Sequence, residues 1–323
     1  MSPPPTVTVD REGTVRVTID GSKLRGILNT QRREKIRLLQ RNLIRIWKQF
    51  RQNRAGMAGM IILVVFVTMA IFAPWLSRYD DPNSIVNENP TYSPPNGDFL
   101  FGTDFFGRDV YSLTMYGARV ALIVGFAASA LSMVVGTGIG VTSGYLGRFS
   151  DEALMRFTDF FLVIPWFPFM IVIAALMGPS LMNVIIVIGI TSWPSTARIV
   201  RAQVLTVKER AFIERARSVG AGGGWIIRKH ILPVIFPLIF ANTILLIANS
   251  IFSETFLDFF GLGDSTIISW GVMLENAYGY GAFNAFAWWW ILAPGACIVI
   301  LIMGFYLVGD ALDEVMNPKL RKR

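Results

Sequence analysis

Long runs of residues without a charged side chain dominate the hydrophobic pattern of this chain. The runs cover residues 55–77, 120–147, 160–197, 231–253 and 276–309. A transmembrane helix needs about 20 apolar residues, and the third run is too long for one crossing and contains a natural break at Gly178-Pro179-Ser180. The pattern therefore predicts six membrane-spanning helices, at 57–76, 118–143, 157–177, 181–201, 234–256 and 288–309.

The segment before the first span, residues 1–54, carries two patterns of its own. TVTVDREGTVRVTID alternates apolar and polar residues around Arg11-Glu12-Gly13, which predicts a β-hairpin. A lone hairpin is marginal in water, so it either docks on something or stays unfolded. Residues 30–54 predict a basic amphipathic helix on an anionic membrane surface, or a solvated one, with apolar positions Ile36, Leu39, Leu43, Ile46 and Phe50.

Composition agrees with a membrane protein. Of the 323 residues 53% are hydrophobic, the mean hydropathy is +0.50, and 16% are charged, against roughly 25% in soluble domains. The start of the chain is polar, so we expect no secretory signal peptide. Cys297 is the one cysteine, which excludes an intrachain disulfide.

The distribution of basic residues predicts the topology. Of the Lys and Arg residues, eleven lie in 23–54, eight in 198–229 and four in 319–323, and none lies in 231–318. Because basic residues stay on the cytoplasmic side, both termini are predicted to be cytoplasmic. Residues 1–54 then form a cytoplasmic extension, 55–77 the first span and 78–117 an external loop. Residues 118–312 form the transmembrane core with a cytoplasmic loop at 203–232, and 313–323 form a tail. Since topology explains the basic clusters, we expect no nucleic-acid partner.

Two of the predicted spans carry residues that repeat along one helix face. In the second span the small residues Ser132, Gly136, Gly140 and Gly144 recur every fourth position, which lets another helix approach closely, either in this subunit or in a partner. The fifth span carries a polar stripe of Asn242, Asn249, Ser250, Ser253 and Glu254. Polar groups facing lipid are costly, so the stripe lines a substrate pathway or makes interhelical hydrogen bonds.

The loop at 203–232 carries signals of a folded helix pair. Thr206 and Glu209 fit a capping box, which predicts a helix over 207–219 that ends at Gly220. A second short helix is expected near Trp225, and Pro233 is expected to open the fifth span. The first helix would present an apolar face and a charged face, formed respectively by Phe212, Ala216 and Val219 and by Arg210, Glu214 and Arg217. An exposed apolar stripe suggests a protein partner.

Glu214-Arg215-Ala216, then Gly220, then Leu232-Pro233 resembles the cytoplasmic loop motif of ABC importer permeases. Further segments, in order over about 45–323, are similar to the C-type permease of oligopeptide and dipeptide importers. They are FGTDFFGRDVYS (101–112), YGARVAL (116–122), GPSLMNVI (178–185), WPSTARIVRAQVL (193–205), KHILP (229–233), FLDFFGLG (256–263), SWGVML (269–274) and GDALDEVMNPKLR (309–321).

This resemblance implies an all-α membrane helix bundle with six transmembrane helices and the MetI-like permease fold. It also implies a prokaryotic cell membrane and a machine of five parts: two homologous permeases, two cytoplasmic ATPases and an extracytoplasmic substrate-binding protein. ATP and Mg²⁺ would bind the ATPases, and this chain would hold no cofactor. The loop residues Arg210, Phe212, Glu214, Ala216, Arg217, Val219 and Gly220 would couple it to an ATPase.

Sequence motifs argue against other functions for the chain alone. It contains no Gly-Lys dipeptide and therefore no phosphate-binding loop of the GxxxxGK[ST] type. One His and one Cys cannot supply a catalytic zinc cluster, and no GxSxG motif is present. We expect a non-enzymatic pore subunit whose cargo is di- or oligopeptides, with nickel complexes or oligosaccharides as alternatives. A stand-alone secondary transporter is the remaining alternative class.

Overall fold

The computed structural model describes residues 6–9, 15–18, 44–79, 81, 83–84 and 89–316. The chain divides into two units, 1–52 and 53–323. In the first unit, β1 (Thr6–Val9) and β2 (Val15–Thr18) pair antiparallel, with Thr6 opposite Thr18. This confirms the predicted hairpin. Residues 44–50 are helical, whereas 30–43 of the predicted amphipathic helix lie outside the described residues.

The second unit is built from helices joined mostly by short connections. They are α1 (Arg54–Leu76), α2 (Val110–Leu146), α3 (Arg148–Val163), α4 (Trp166–Met177), α5 (Leu181–Lys208), α6 (Ala211–Ser218), α7 (Gly223–Ile226), a π-helical turn (Ile227–Ile231), α8 (Leu232–Phe259), α9 (Trp270–Gly279) and α10 (Trp288–Met316). By length and composition, five helices are able to cross a membrane: α1, α2, α5, the continuous helix from α7 to α8, and α10. The bent pair α3–α4 makes a sixth crossing if the two helices together form one span. The predicted all-α membrane bundle is therefore confirmed.

The third predicted span, 157–177, is broken at Pro165 into two helices. The chain turns by 89° between α3 and α4. Ile164 lies in the extended region, with φ −72° and ψ 129°, because the ring of Pro165 disfavours the helical conformation of the preceding residue. The break leaves two shorter helices that meet at a corner.

The other spans begin or end beyond their predicted bounds. Asp109 caps α2, because its Oδ2 accepts a hydrogen bond from the Ser112 backbone N–H at 3.1 Å. Residues 110–117 are therefore helical and do not belong to the predicted external loop. At the other end of the chain, α10 continues past 309 to Met316.

The small-residue face of α2 packs against α5 of the same subunit. A Cβ atom at Gly136 would lie 2.7 Å from Thr196 Cβ, one at Gly140 would lie 2.6 Å from the Ala197 carbonyl oxygen, and one at Gly144 would lie 2.9 Å from Val204 Cβ. These distances are too short for any side chain. Of the two alternatives left open by the sequence, packing within the subunit is the one observed.

The connection before α2 is anchored by a buried ion pair. Arg108 Nε contacts Asp104 Oδ2 at 2.6 Å, and the backbone N–H groups of Phe106 and Arg108 donate to Asp104 Oδ1 at 2.8 Å. Burial raises the pKa of the Asp104 carboxyl, and the Arg108 guanidinium opposes that rise. Trp289 Nε1, on α10, donates to the Thr103 carbonyl oxygen at 3.1 Å and so joins this connection to the bundle.

Candidate functional site

Two parts of the second unit carry the predicted site residues: the loop at 203–232 and the polar stripe of α8. We call the end of the bundle where α2 and α5 terminate, and where α6 and α7 lie, the loop end. The predicted capping box at this end is wrong. Thr206 lies inside α5 and its hydroxyl donates to the Ala202 carbonyl oxygen at 3.0 Å. The helix α5 continues to Lys208 because Val204 and Val207 are buried, and α6 begins at Ala211, with Arg210 as its N-cap.

The predicted end of the loop helix at Gly220 is confirmed. Gly220 has φ +83°, in the left-handed region that glycine adopts without a steric penalty. The backbone N–H of Ala221 donates to the Ala216 carbonyl oxygen at 3.0 Å, and that of Gly220 donates to the Arg217 carbonyl oxygen at 2.9 Å. These two bonds form a Schellman motif.

Of the predicted exposed apolar face of the loop helix, Ala216 is packed inside the subunit, whereas Phe212 and Val219 remain accessible. Ile213 is fully buried and Ala216 is 8% exposed, and both pack in a core cluster with Val207 and Ile226 of the same subunit. Phe212, by contrast, is half-buried and Val219 is 83% exposed. The buried pair is spaced i, i+3, and this spacing is the signal that the chosen stripe of Phe212, Ala216 and Val219 missed.

The exposed side of α6 is charged. Arg210, Glu214 and Arg217 are all exposed. Glu214 forms no ion pair with any residue that the structure describes. Beside α6, Trp225 on α7 is 51% exposed and its ring lies 5.0 Å from that of His230. The loop therefore presents charged side chains, Trp225 and Val219, whereas Ile213 and Ala216 are turned inward.

The connection from the loop into α8 is continuous helix. The short helix near Trp225 is confirmed as α7, but Pro233 does not open a new helix, because the chain is helical from Gly223 to Phe259. The π-helical turn allows this: the Leu232 backbone N–H donates to the Ile227 carbonyl oxygen, five residues back, just before the proline that has no N–H to donate.

The polar stripe of α8 divides between two environments. Asn249 is exposed, and its Oδ1 accepts a hydrogen bond from the Tyr306 hydroxyl at 2.9 Å. Asn242 is half-buried, and its Nδ2 donates to Thr196 Oγ1 at 3.4 Å. The other three predicted residues are buried within the subunit: Ser250, Ser253 and Glu254.

Burial corrects the prediction that these three residues line a pathway. The Ser253 hydroxyl donates to the Asn249 carbonyl oxygen of its own helix at 2.7 Å. Glu254 Oε2 accepts from the Thr255 hydroxyl at 3.2 Å. One turn further along, Asp258 is also buried and accepts from the Ser269 hydroxyl. This last contact joins two distant segments, and sequence reasoning did not select Asp258.

Asn249 opens onto a cavity of about 300 Å³ at the corner between α3 and α4. The wall is uncharged and mixes aromatic, aliphatic and small polar side chains: Phe161, Leu162, Ile164, Trp166, Thr191, Ser192, Pro194, Ser195, Leu246 and Asn249. Such a wall accepts neutral groups without requiring a fixed counter-charge. Sequence reasoning found Asn249 but missed the other wall residues, because the 89° turn brings them together.

Comparison with known proteins identifies the chain. The family described as "Binding-protein-dependent transport system inner membrane component" matches residues 136–322, more than half of the chain. The chain belongs to this family. The N-terminal transmembrane domain of oligopeptide transport permease C matches residues 43–95 of the same permease.

Relatives support the membership over most of the chain, and a solved structure shares the fold. The chain is 36% identical over 290 residues to an oligopeptide transport system permease protein of Bacillus subtilis (strain 168), covering 88% of this chain and 93% of the relative. It is also 36% identical over 279 residues to a dipeptide transport system permease protein of that organism, covering 85% of each. An inward-facing MetNI methionine ABC transporter shares the fold, with a TM-score of 0.52, 20% identity and coverage of 64% of this chain and 95% of that one.

Proposed function

We propose that this permease is the C-type pore subunit of an ATP-driven importer of dipeptides or oligopeptides. The observation that carries the proposal is the identity of 36% over 88% of the chain with a relative named as an oligopeptide permease. A second relative at the same identity is named as a dipeptide permease. The matched length includes both the loop at 203–232 and the polar stripe of α8.

The proposed partners are a homologous second permease, two cytoplasmic ATPases and an extracytoplasmic substrate-binding protein. ATP hydrolysis, with its Mg²⁺, takes place in the ATPases. The exposed charges of Arg210 and Glu214 support docking of an ATPase on α6, because a rigid helix in a groove carries rigid-body motion into the membrane. The basic residues around this loop and at both termini support a cytoplasmic location for all three.

The proposed substrate pathway passes Asn249 and Asn242 along α8. The cavity beside Asn249 has an uncharged wall, which suits peptides whose side chains vary in size and charge. A path that releases its cargo needs weak contacts, and amide and hydroxyl groups supply them without a fixed charge. Ser250, Ser253 and Glu254 are left out of this pathway because they are buried.

The test is transport by the assembled complex. We would express the permease with its cognate partners, identify by mass spectrometry the ligand that co-purifies with the binding protein, and measure its uptake into membrane vesicles. The expected result is ATP-dependent uptake of a labelled di- or oligopeptide. ATP-dependent uptake of a nickel complex or an oligosaccharide alone would replace the peptide assignment. Uptake by this chain alone without nucleotide would identify a secondary transporter instead.

A further inference from the structure

A partly buried ion pair connects the first turn of α3 to the loop end of the bundle. Asp151, in the first turn of α3, accepts from Arg201 Nε at 2.6 Å and from Arg201 Nη2 at 2.7 Å. The two side chains are 18% and 34% exposed. The Ser143 hydroxyl of α2 donates to the same carboxylate. One carboxylate therefore joins α2, α3 and α5 through a two-pronged, charge-assisted contact, the strong kind of ion pair.

The ring of Tyr145 joins the loop helix to the same place. Tyr145 lies in the last turn of α2, and two cations contact its ring. Arg217 Cζ, on α6, lies 5.7 Å from the ring centroid, and Lys208 Nζ, at the end of α5, lies 5.8 Å from it. Lys208 Nζ also donates to the Gly144 carbonyl oxygen at 3.3 Å. Cations near an aromatic face are attracted by its quadrupole.

Both groups of contacts end on the last turn of α2, and together we call them the polar seam: Ser143, Tyr145, Asp151, Arg201, Lys208 and Arg217. Along the rest of α3, Thr158 is the one buried residue, and Phe157 and Phe161 pack against the ring of Trp193 on α5. The helix has 16 residues and is thus about 24 Å long. Its first turn lies in the polar seam, and its last turn contributes Phe161 and Leu162 to the cavity wall.

We propose that the polar seam is the mechanical link by which displacement of the loop helix α6 moves α3 and so changes the shape of the cavity. Asp151, Arg201 and Tyr145 are positioning residues in this scheme. When an ATPase pulls α6, the Arg217–Tyr145 contact carries the movement to the ends of α2 and α5, and the Asp151–Arg201 pair carries it to α3. The inference rests on the proposed coupling function of the loop.

A second ion pair between the same two helices provides a matched control. Arg198 Nη2 on α5 contacts Asp159 Oδ1 on α3, also at 2.6 Å. That pair makes one contact instead of two, its side chains are 54% and 51% exposed, and it lies outside the polar seam. Half-exposed pairs contribute little, so this pair should not transmit force.

The experiment compares Asp151→Asn with Asp159→Asn in the full complex in membrane vesicles. With Asp151→Asn we expect the ratio of substrate transported to ATP hydrolysed to fall by roughly tenfold, within the range of mutations that alter coupling between sites, while hydrolysis continues. Asp159→Asn should leave the ratio unchanged. The charge exchange Asp151→Arg with Arg201→Asp should recover part of the ratio. Equal ratios for the two single variants would refute the proposal.

A second experiment tests the role of the polar seam independently of which substrate the importer carries. A cysteine at Leu162, which is 38% exposed and lines the cavity, should react with a thiol reagent to an extent that depends on nucleotide. In the Asp151→Asn background that dependence should vanish, whatever substrate the importer carries. Tyr145→Phe should keep the dependence because the ring remains, and Tyr145→Leu should lose it. Nucleotide-dependent labelling in every variant would overturn the link even where peptide uptake is confirmed.

Discussion

At the scale of single residues, the charge of Glu214 stands out because no described residue of this chain neutralises it. The side chain projects from α6 beside Arg210, while Ile213, its neighbour in sequence, is fully buried in the subunit. The inner face of this short helix therefore packs in the subunit, and its outer face is available for recognition of a partner. A change at Glu214 should affect partner docking and leave the fold intact.

Replacing Glu214 with lysine tests this role. In the proposed ATPase interface Glu214 would pair with a basic group of the partner, and breaking a buried charge pair at an interface costs about 2–5 kcal/mol. We therefore expect uptake to fall at least tenfold, while the amount of permease in the membrane is unchanged. Glu214→Gln should give an intermediate loss. Uptake assays paired with quantification of the membrane fraction measure both. Normal uptake by the lysine variant would remove Glu214 from the coupling surface.

Asn249 and Ser253 lie one turn apart on α8 but differ completely in exposure. Asn249 is exposed at the cavity, whereas Ser253 is fully buried. A cysteine at 249 should react with a small thiol reagent in the assembled importer, more in one nucleotide state than in the other. A cysteine at 253 should stay unreactive in both. Labelling at 253 that matches labelling at 249 would restore the continuous polar pathway.

At the scale of elements, the close contact of α2 with α5 organises the loop end. The glycines on the contact face of α2 let the backbone of α5 approach directly. Gly138 lies on the same helix but faces open space, where an added Cβ would have no neighbour within 4 Å. The glycines on the contact face and Gly138 therefore differ in their surroundings, but each has the same low helix propensity.

Substituting leucine at Gly140 should destabilise the helix pair, whereas leucine at Gly138 should not. At Gly140 the new Cβ would meet the Ala197 carbonyl oxygen at 2.6 Å and Val200 Cβ at 2.8 Å, and overpacking of this kind costs typically about 1–3 kcal/mol. Thermal unfolding of the purified complex in detergent measures the difference. Equal unfolding temperatures for the two variants would contradict tight α2–α5 packing.

At the scale of the whole molecule, topology is the property that the coupling mechanism requires. In the proposed function the loop faces the ATPases, and both termini are predicted to share its side of the membrane. Position 270, on the predicted external side, is a poor labelling site, because Trp270 is fully buried and its Nε1 donates to the Thr114 carbonyl oxygen at 2.9 Å. Exposed positions such as 98 and 265 are better reporters.

Single cysteines in a Cys297→Ser background test the topology. In intact cells, Asp98→Cys and Ser265→Cys should react with an impermeant thiol reagent. Arg210→Cys and Ser218→Cys should react only after the membrane is permeabilised, since the basic clusters predict a cytoplasmic location for the loop. Reaction of the residue 210 variant from outside would invert the scheme.

The sequence by itself determined the class of the protein and most of its spans, because these depend on composition and local pattern, and its motifs resembled those of the family to which it belongs. Uncharged runs longer than a bilayer crossing leave few alternatives to spanning helices. The end of the loop helix at Gly220 was also predictable, since a left-handed cap depends on one residue. The predicted hairpin, set by alternation and turn residues, is present for the same reason.

The tertiary structure decided which face of each element is used. Hydrophobic spacing placed Phe212, Ala216 and Val219 on one face of the loop helix, but packing against Val207 and Ile226 buried Ile213 and Ala216 instead. Likewise, the spacing of Asn249 and Ser253 placed both on one side of α8, but neighbouring helices buried one of them. The physical reason is that exposure and ion pairing depend on residues far apart in sequence. Asp151 and Arg201, fifty positions apart, meet only after the bundle has formed.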